Sequence, residues 1–151
     1  MKRAIAAIGV LICAVAAFAQ EHPEHPTNKT PPKGAHVYTM GELEKAITAE
    51  IQGTQQKHDG WYPMKDEKEN KELAMKLDHV HTERLARLDP KTYFACTDFK
   101  SNDGHLVDVD FFMKDNGEKL VMTDATIHKV DGKPRYNWKE KNGFWERVPA
   151  E

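Results

Sequence analysis

The sequence predicts an α+β domain in which one N-terminal helix packs on a curved antiparallel meander of four to six strands. Two observations lead to this fold class. Apolar residues recur every three or four positions over residues 40–52, as they do on one side of a helix. From residue 92 onward they alternate with polar residues, and short sequences rich in Asn, Asp and Gly interrupt the alternation, as between consecutive antiparallel strands.

The N-terminus has the layout of a secretory signal peptide over residues 1–19. Lys2 and Arg3 precede a long uncharged run that ends in Ala-Phe-Ala, a small-residue cleavage sequence closing at Ala19. This run is too short to span a bilayer comfortably, so we expect a periplasmic or secreted product with no stable membrane insertion after cleavage. An uncleaved anchor and acylation of Cys13 are the alternatives.

Residues 20–38 are predicted to form a flexible leader, and residues 39–151 a single α+β domain. The stretch EHPEHPTNKTPPKG is rich in proline and has no large apolar residue, so it cannot bury a face against a core. The part that follows is long enough for one hydrophobic core but not for two.

The first element of the domain is an amphipathic helix predicted over residues 40–52. Thr39 followed by Glu42 fits a capping box, and Gly53 stands where a helix C-terminus is expected. The apolar positions of this helix are Met40, Leu43, Ile47 and Ile51.

Residues 71–88 allow two interpretations. Leu73, Met75 and Leu77 alternate as in a strand, whereas leucines further along also fit one face of a long helix that would end at Pro90. We favour a strand over 71–80 followed by a short turn or helical piece over 82–88.

The remaining strands are predicted at 92–100, 105–114, 119–130, 134–141 and 144–148. Three-residue loops at 102–104 and 115–117, and a two-residue loop at 131–132, bring apolar residues together on one face, which the helix should cover. This predicted core face contains Tyr93, Ala95, Thr97, Phe99, Val107, Val109, Phe111, Met113, Val121, Thr123, Ala125, Ile127, Tyr136 and Trp138.

Three segments carry a resemblance. The runs YFACTDF at 93–99, VDVDFFM at 107–113 and IHKVDGKPRYNW at 127–138 resemble exported bacterial domains of unknown function. Their rhythm of strand, Asp-Gly turn and strand is similar to that of PepSY-type domains. The resemblance implies export and brings no catalytic motif with it. The order of the elements, one helix followed by a curved antiparallel meander, is that of a cystatin-like or small NTF2-like architecture.

The opposite face of the predicted sheet places Asp98, Asp108 and Asp124 side by side. Because carboxylates in a row repel one another, the row is either splayed into water, neutralised by a lysine such as Lys139, or occupied by a hard cation or a cationic partner.

An apolar row lies next to these carboxylates on the same predicted face. Phe94, Phe112 and Leu120 form a candidate partner surface, since exposed apolar patches mark interaction sites. The alternative is that the segment 71–88 folds over the row.

Histidines give two further metal candidates. Cleavage after Ala19 would leave His22 as the third residue, where the α-amine, two amide nitrogens and the imidazole can surround copper(II) or nickel(II). On a strand, His79 and His81 point to one face, a common spacing for two ligands, although zinc requires three or four.

The net charge and the motif content limit the functions that the sequence allows. The formal net charge is −2, and loss of Lys2 and Arg3 makes it more negative, which argues against a nucleic-acid partner. No nucleophile-elbow, zinc-protease or phosphate-loop motif occurs. Cys96, the single cysteine of the predicted mature chain, is expected to be a small apolar residue on a strand.

The sequence therefore favours an exported, small, non-enzymatic domain that binds an unknown protein or small ligand in the periplasm and needs no cofactor. Two alternatives stay open. One is a small NTF2-like pocket enzyme with His79 or His81 as base and Asp98 or Asp110 orienting it. The other is a periplasmic divalent-metal binder.

Overall fold

The computed structural model describes His25, Pro26, Thr30, Lys33, residues 36–141 and residues 144–150. The predicted signal peptide over 1–19, the N-terminal His22 site and most of the predicted leader lie outside the described residues.

One helix packs against a strongly curled antiparallel sheet, which confirms the predicted α+β class. The elements are α1 (Met40–Lys57), β1 (Tyr62–Asp66), β2 (Lys71–Val80), a 3₁₀ turn (Thr82–Arg84), β3 (Ala86–Arg87), β4 (Thr92–Ser101), β5 (Leu106–Asp115), β6 (Leu120–Val130), β7 (Lys133–Pro134), β8 (Tyr136–Lys141) and β9 (Phe144–Pro149). Within the described residues the main sheet has the order β1-β2-β4-β5-β6-β7, with β3 paired to β4, and β8 and β9 form a separate two-stranded sheet. No helix in the described part of the chain is both long and apolar enough to cross a membrane.

Helix α1 begins as predicted and ends later than predicted. The Thr39 backbone N–H donates to Glu42 Oε2 at 2.8 Å, and the Glu42 N–H donates to Thr39 Oγ1 at 3.2 Å, which completes the capping box. The predicted stop at Gly53 is wrong, because the helix continues to Lys57. The turn that follows uses Gly60, which has a φ of +84°.

The segment after the helix contains a strand that periodicity does not reveal. Strand β1 contains Pro63, and at the edge of a sheet the missing N–H is tolerated. The favoured interpretation of residues 71–88 is confirmed, since β2 is followed by a 3₁₀ turn and then the short β3.

The predicted register is right for β4 and β5 and wrong for β5 and β6. Phe99 faces Val107, as the three-residue loop requires. Phe111 faces Ala125, whereas the predicted loop at 115–117 would place Val121 there. The turn before β6 is longer than predicted and the ladder contains two bulges, so Leu120 packs in the helix-side core in place of Val121.

The predicted fourth meander strand is divided in two. The turn at Asp131 and Gly132 forms as expected, with both residues at positive φ. After the short β7 the chain leaves the main sheet, so Tyr136 and Trp138 lie across its other face. Their predicted place on the helix-covered face is wrong, although both are buried.

The interface between helix and sheet is filled by apolar side chains. Leu43, Ile47 and Ile51 of α1 are at most 1% exposed. They join a single cluster with Phe99 and Phe111 of the sheet. This side of the sheet supplies the main hydrophobic core.

Candidate functional site

The face of the sheet turned away from the helix, called the outer face here, is covered rather than solvated. A second core forms there from Ala86, Phe94, Cys96, Tyr136 and Trp138. Ala86 belongs to β3, which pairs with β4 within the sheet, whereas Tyr136 and Trp138 belong to the β8–β9 hairpin, which covers this face.

The predicted apolar partner surface is therefore absent from the described residues. Phe94 is fully buried and Leu120 is only 6% exposed on the helix side, because the β8–β9 hairpin covers the first and the shifted register turns the second inward. Phe112 is half-buried beneath Arg147, whose guanidinium carbon lies 5.0 Å from the centroid of its ring.

The three predicted carboxylates do not form one row. Asp98 and Asp108 are cross-strand partners as expected. Asp124 instead faces Phe112, because of the shifted register, and it accepts a hydrogen bond from Arg147 Nη2 at 2.6 Å. Asp124 is thus part of the contact that fastens the hairpin to the sheet.

Asp98 meets the histidine pair that the sequence had placed in a separate candidate site. A bulge between Leu77 and His79 breaks the alternation of β2, so His79 pairs with Asp98 on the outer face instead of following Leu77 toward the helix. We call His79, His81, Glu83 and Asp98 the rim cluster.

The rim cluster is compact and largely solvent-accessible. Single ligand atoms of His79, His81 and Glu83 lie within 4.8 Å of one another. His81 Nδ1 is 3.0 Å from Glu83 Oε1, and His81 Nε2 is 2.9 Å from Asp98 Oδ1. Beside the cluster, burial and the nearby Asp98 raise the pKa of Asp108, which disfavours a second full negative charge there.

A second group of polar side chains lies inside the outer-face core. We call His25, Asp110 and His128 the inner cluster, and one ligand atom from each lies within 4.8 Å of the others. Asp110 is fully buried and His128 is 2% exposed. The His25 ring packs edge-on against His128, with 5.3 Å between ring centroids, so this residue of the predicted leader lies against the domain.

The two carboxylate oxygens of Asp110 differ in their hydrogen bonds. Tyr136 Oη donates to Asp110 Oδ2 at 2.6 Å, and Trp138 Nε1 donates to the same oxygen at 3.1 Å. Oδ1 has no hydrogen-bond partner among the described residues. Burial raises the pKa of Asp110 to about 6, although hydrogen bonds from Tyr136 and Trp138, and a weaker one from the Cys96 thiol, oppose that shift.

Sequence reasoning missed the inner cluster. Asp110 was considered only as a carboxylate that could orient His79 or His81, and His25 appeared only as part of a proline-rich leader. The signal that could have been used is the pair Tyr136 and Trp138, because buried aromatic donors require an acceptor on the strand they cover.

A groove of about 450 Å³ lies elsewhere, where the edges of the curled sheet approach each other. Arg135 Nη2 donates to Asp66 Oδ2 across it at 2.6 Å, and Asp66 is only 4% exposed. This contact joins β1 to the segment after β7 and so bridges the two edges of the curled sheet.

Comparisons of the chain with protein-family models, with curated proteins and with solved structures found no match.

Proposed function

We propose that this chain is an exported, non-catalytic domain that binds a divalent transition-metal ion at the rim cluster. The observation that supports this function is the convergence of two imidazoles and a carboxylate from one strand end, with ligand atoms within 4.8 Å of one another. Three protein ligands of this kind are enough for a zinc-type site that leaves a position for water or another ligand.

The ligand types select the class of ion. Imidazole nitrogen suits zinc, copper, iron or nickel, whereas calcium and magnesium prefer oxygen ligands alone. Since each nitrogen of His81 already contacts a carboxylate, one nitrogen can bind the ion while the other stays hydrogen-bonded, which is the usual support for a ligating histidine. The rim cluster is exposed enough for the ion to exchange with solvent.

The interior of the domain favours binding over catalysis. A small pocket enzyme of the NTF2 type needs a polar cavity between helix and sheet, but Leu43, Ile47 and Ile51 fill that space. The His81–Asp98 pair has the geometry of a base oriented by a carboxylate, yet it lies at the rim of the outer face rather than in the helix-to-sheet interface.

Isothermal titration of the purified protein with zinc chloride tests this function. In His79→Ala and in His81→Ala, we expect the number of tightly held zinc ions to fall by one relative to the unaltered protein. Calcium chloride should give no binding heat at the same concentrations.

A matched control is available at His105. This exposed histidine lies 2.7 Å from Asp131 Oδ2 and 3.9 Å from Asp103 Oδ2, so it reproduces the histidine–carboxylate contacts without a second imidazole. His105→Ala should leave the stoichiometry unchanged. Zinc binding that is equal in all the variants would contradict the proposed function.

A further inference from the structure

Among the described residues, the inner cluster contains a buried carboxylate oxygen without a hydrogen-bond partner, and two imidazoles lie near that carboxylate. Asp110 Oδ1 is buried without a hydrogen-bond partner among the described residues, while Oδ2 is fixed by Tyr136 and Trp138. A buried carboxylate oxygen left unsatisfied costs free energy, so such a group calls for a ligand. His25 and His128 lie next to it, and both offer imidazole nitrogen.

The arrangement around Asp110 is that expected of a ligating carboxylate. Residues that bind metal ions are held by hydrogen bonds from a second layer of side chains, and here Tyr136 and Trp138 supply those bonds to Oδ2, the oxygen that also lies 3.6 Å from His128 Nδ1. His128 is likewise held, since its ring stacks on Tyr136 with 4.8 Å between centroids.

The distances suit a zinc-type ion with little rearrangement. Zinc takes nitrogen and carboxylate oxygen at about 2.0–2.2 Å. Ligand atoms within 4.8 Å of one another would need to approach by only roughly 1 Å to reach tetrahedral spacing. The mixed set of two imidazoles and one carboxylate disfavours calcium and magnesium.

We infer that His25, Asp110 and His128 form a second site for a divalent ion of the zinc type, separate from the rim cluster, and that this ion ties the segment around His25 to the domain. His25 is the one ligand that comes from before the helix; it is half-buried, and the next residue, Pro26, is buried. Because the ligands come from distant parts of the chain, the ion would act as a cross-link. Its exchange should be slower than at the exposed rim cluster.

The test uses the purified protein carrying His79→Ala and His81→Ala, so that the rim cluster no longer contributes. Titration with cobalt(II) should give one bound ion per chain, with the visible absorption of a four- or five-coordinate site, and zinc should displace it. Adding His25→Ala should weaken cobalt binding by more than about tenfold, since losing a ligand costs at least as much as losing a residue that only supports one.

His36 provides the control because it also precedes the helix, but it is exposed and packs against Tyr38 instead of Asp110. His36→Ala should leave cobalt affinity unchanged. The second measurement is trypsin cleavage after Lys29 or Lys33, which zinc should slow at least several-fold in the parent and not in the His25→Ala protein.

These experiments distinguish failure of the inner site from failure of the proposed function at the rim cluster. If the parent lacking the rim histidines binds no cobalt, or if His36→Ala and His25→Ala weaken binding equally, the inner site is overturned while the proposed function at the rim cluster is untouched. If His79→Ala and His81→Ala leave the zinc stoichiometry unchanged while the cobalt measurements come out as expected, the proposed function fails and the inner site stands.

Discussion

The two faces of the same sheet bury different kinds of side chains. On the helix side, side chains such as Phe99 and Phe111 are fully buried among other apolar groups. On the outer face, Asp110 and His128 are just as deeply buried but lie among aromatic rings. Since a buried polar group costs free energy that an apolar one does not, the helix side accounts for stability and the outer face is where function is to be sought.

The largest expected difference between the faces is at two neighbouring residues of β5. Phe111→Ala should lower the free energy of unfolding by about 3–5 kcal/mol, as large-to-small changes in a filled core do. Phe112→Ala, on the outer face, should cost less than half of that, because the ring is only half-buried. Urea denaturation of both variants measures the difference, and equal losses would contradict the division into two unequal cores.

The second prediction concerns the pH dependence of the outer face in the metal-free protein. Burial in the folded state raises the pKa of Asp110 to about 6 from the 3.8 of an unperturbed aspartate. The folded state therefore favours the protonated form, so the stability contributed by Asp110 is full below about pH 4 and is lost as pH rises through 6. The loss should be on the order of 3 kcal/mol.

Denaturation of the chelator-treated protein and of Asp110→Asn between pH 4 and pH 8 measures this effect. As pH rises from 4 to 8, the unfolding free energy of the unaltered protein should fall relative to that of Asp110→Asn. A constant difference across that range would show that Asp110 titrates normally.

A smaller effect is expected where the hairpin is fastened to the outer face. Arg147 bonds Asp124 and Thr126 and lies over the ring of Phe112. Arg147→Ala should cost about 1–2 kcal/mol, since an exposed ion pair and a cation–π contact each contribute up to about 1 kcal/mol. Thermal melts compare it with Glu146→Ala, the neighbouring residue, which should change stability by less than about 0.5 kcal/mol.

The smallest effect should be the reactivity of Cys96. Burial raises the pKa of this thiol well above its usual range, and the side chain is fully buried. Because the thiolate is the reactive form, the folded protein should react with a disulfide reagent only on unfolding. Rapid reaction without denaturant would mean that the cover over the outer face opens readily.

Local sequence patterns predicted the elements whose contacts are local. The capping box of Thr39 and the loop between β4 and β5 follow from neighbouring residues, so both were predictable. The β5–β6 register was not, since bulges depend on how a whole strand fits its curled neighbours. The same holds for the end of α1, where Gly53 is compatible with a helix and only tertiary packing decides that it continues.

The candidate site was predictable in its parts but not in its assembly. His79, His81 and Asp98 were each singled out from sequence, yet a bulge in β2 is what places them together. The inner cluster draws on residues as far apart as His25 and His128. Periodicity reports which face a residue occupies, not which distant segment covers that face.

The edges of the main sheet have a consequence for the behaviour of this protein at high concentration. An open sheet edge offers unpaired N–H and C=O groups to which a strand of another molecule can add. Here both edge strands carry a proline, Pro63 in β1 and Pro134 in β7, and β7 is only two residues long. With an N–H missing in each, β1 and β7 are poor templates for intermolecular pairing, which disfavours growth into fibrillar aggregates at these two strands.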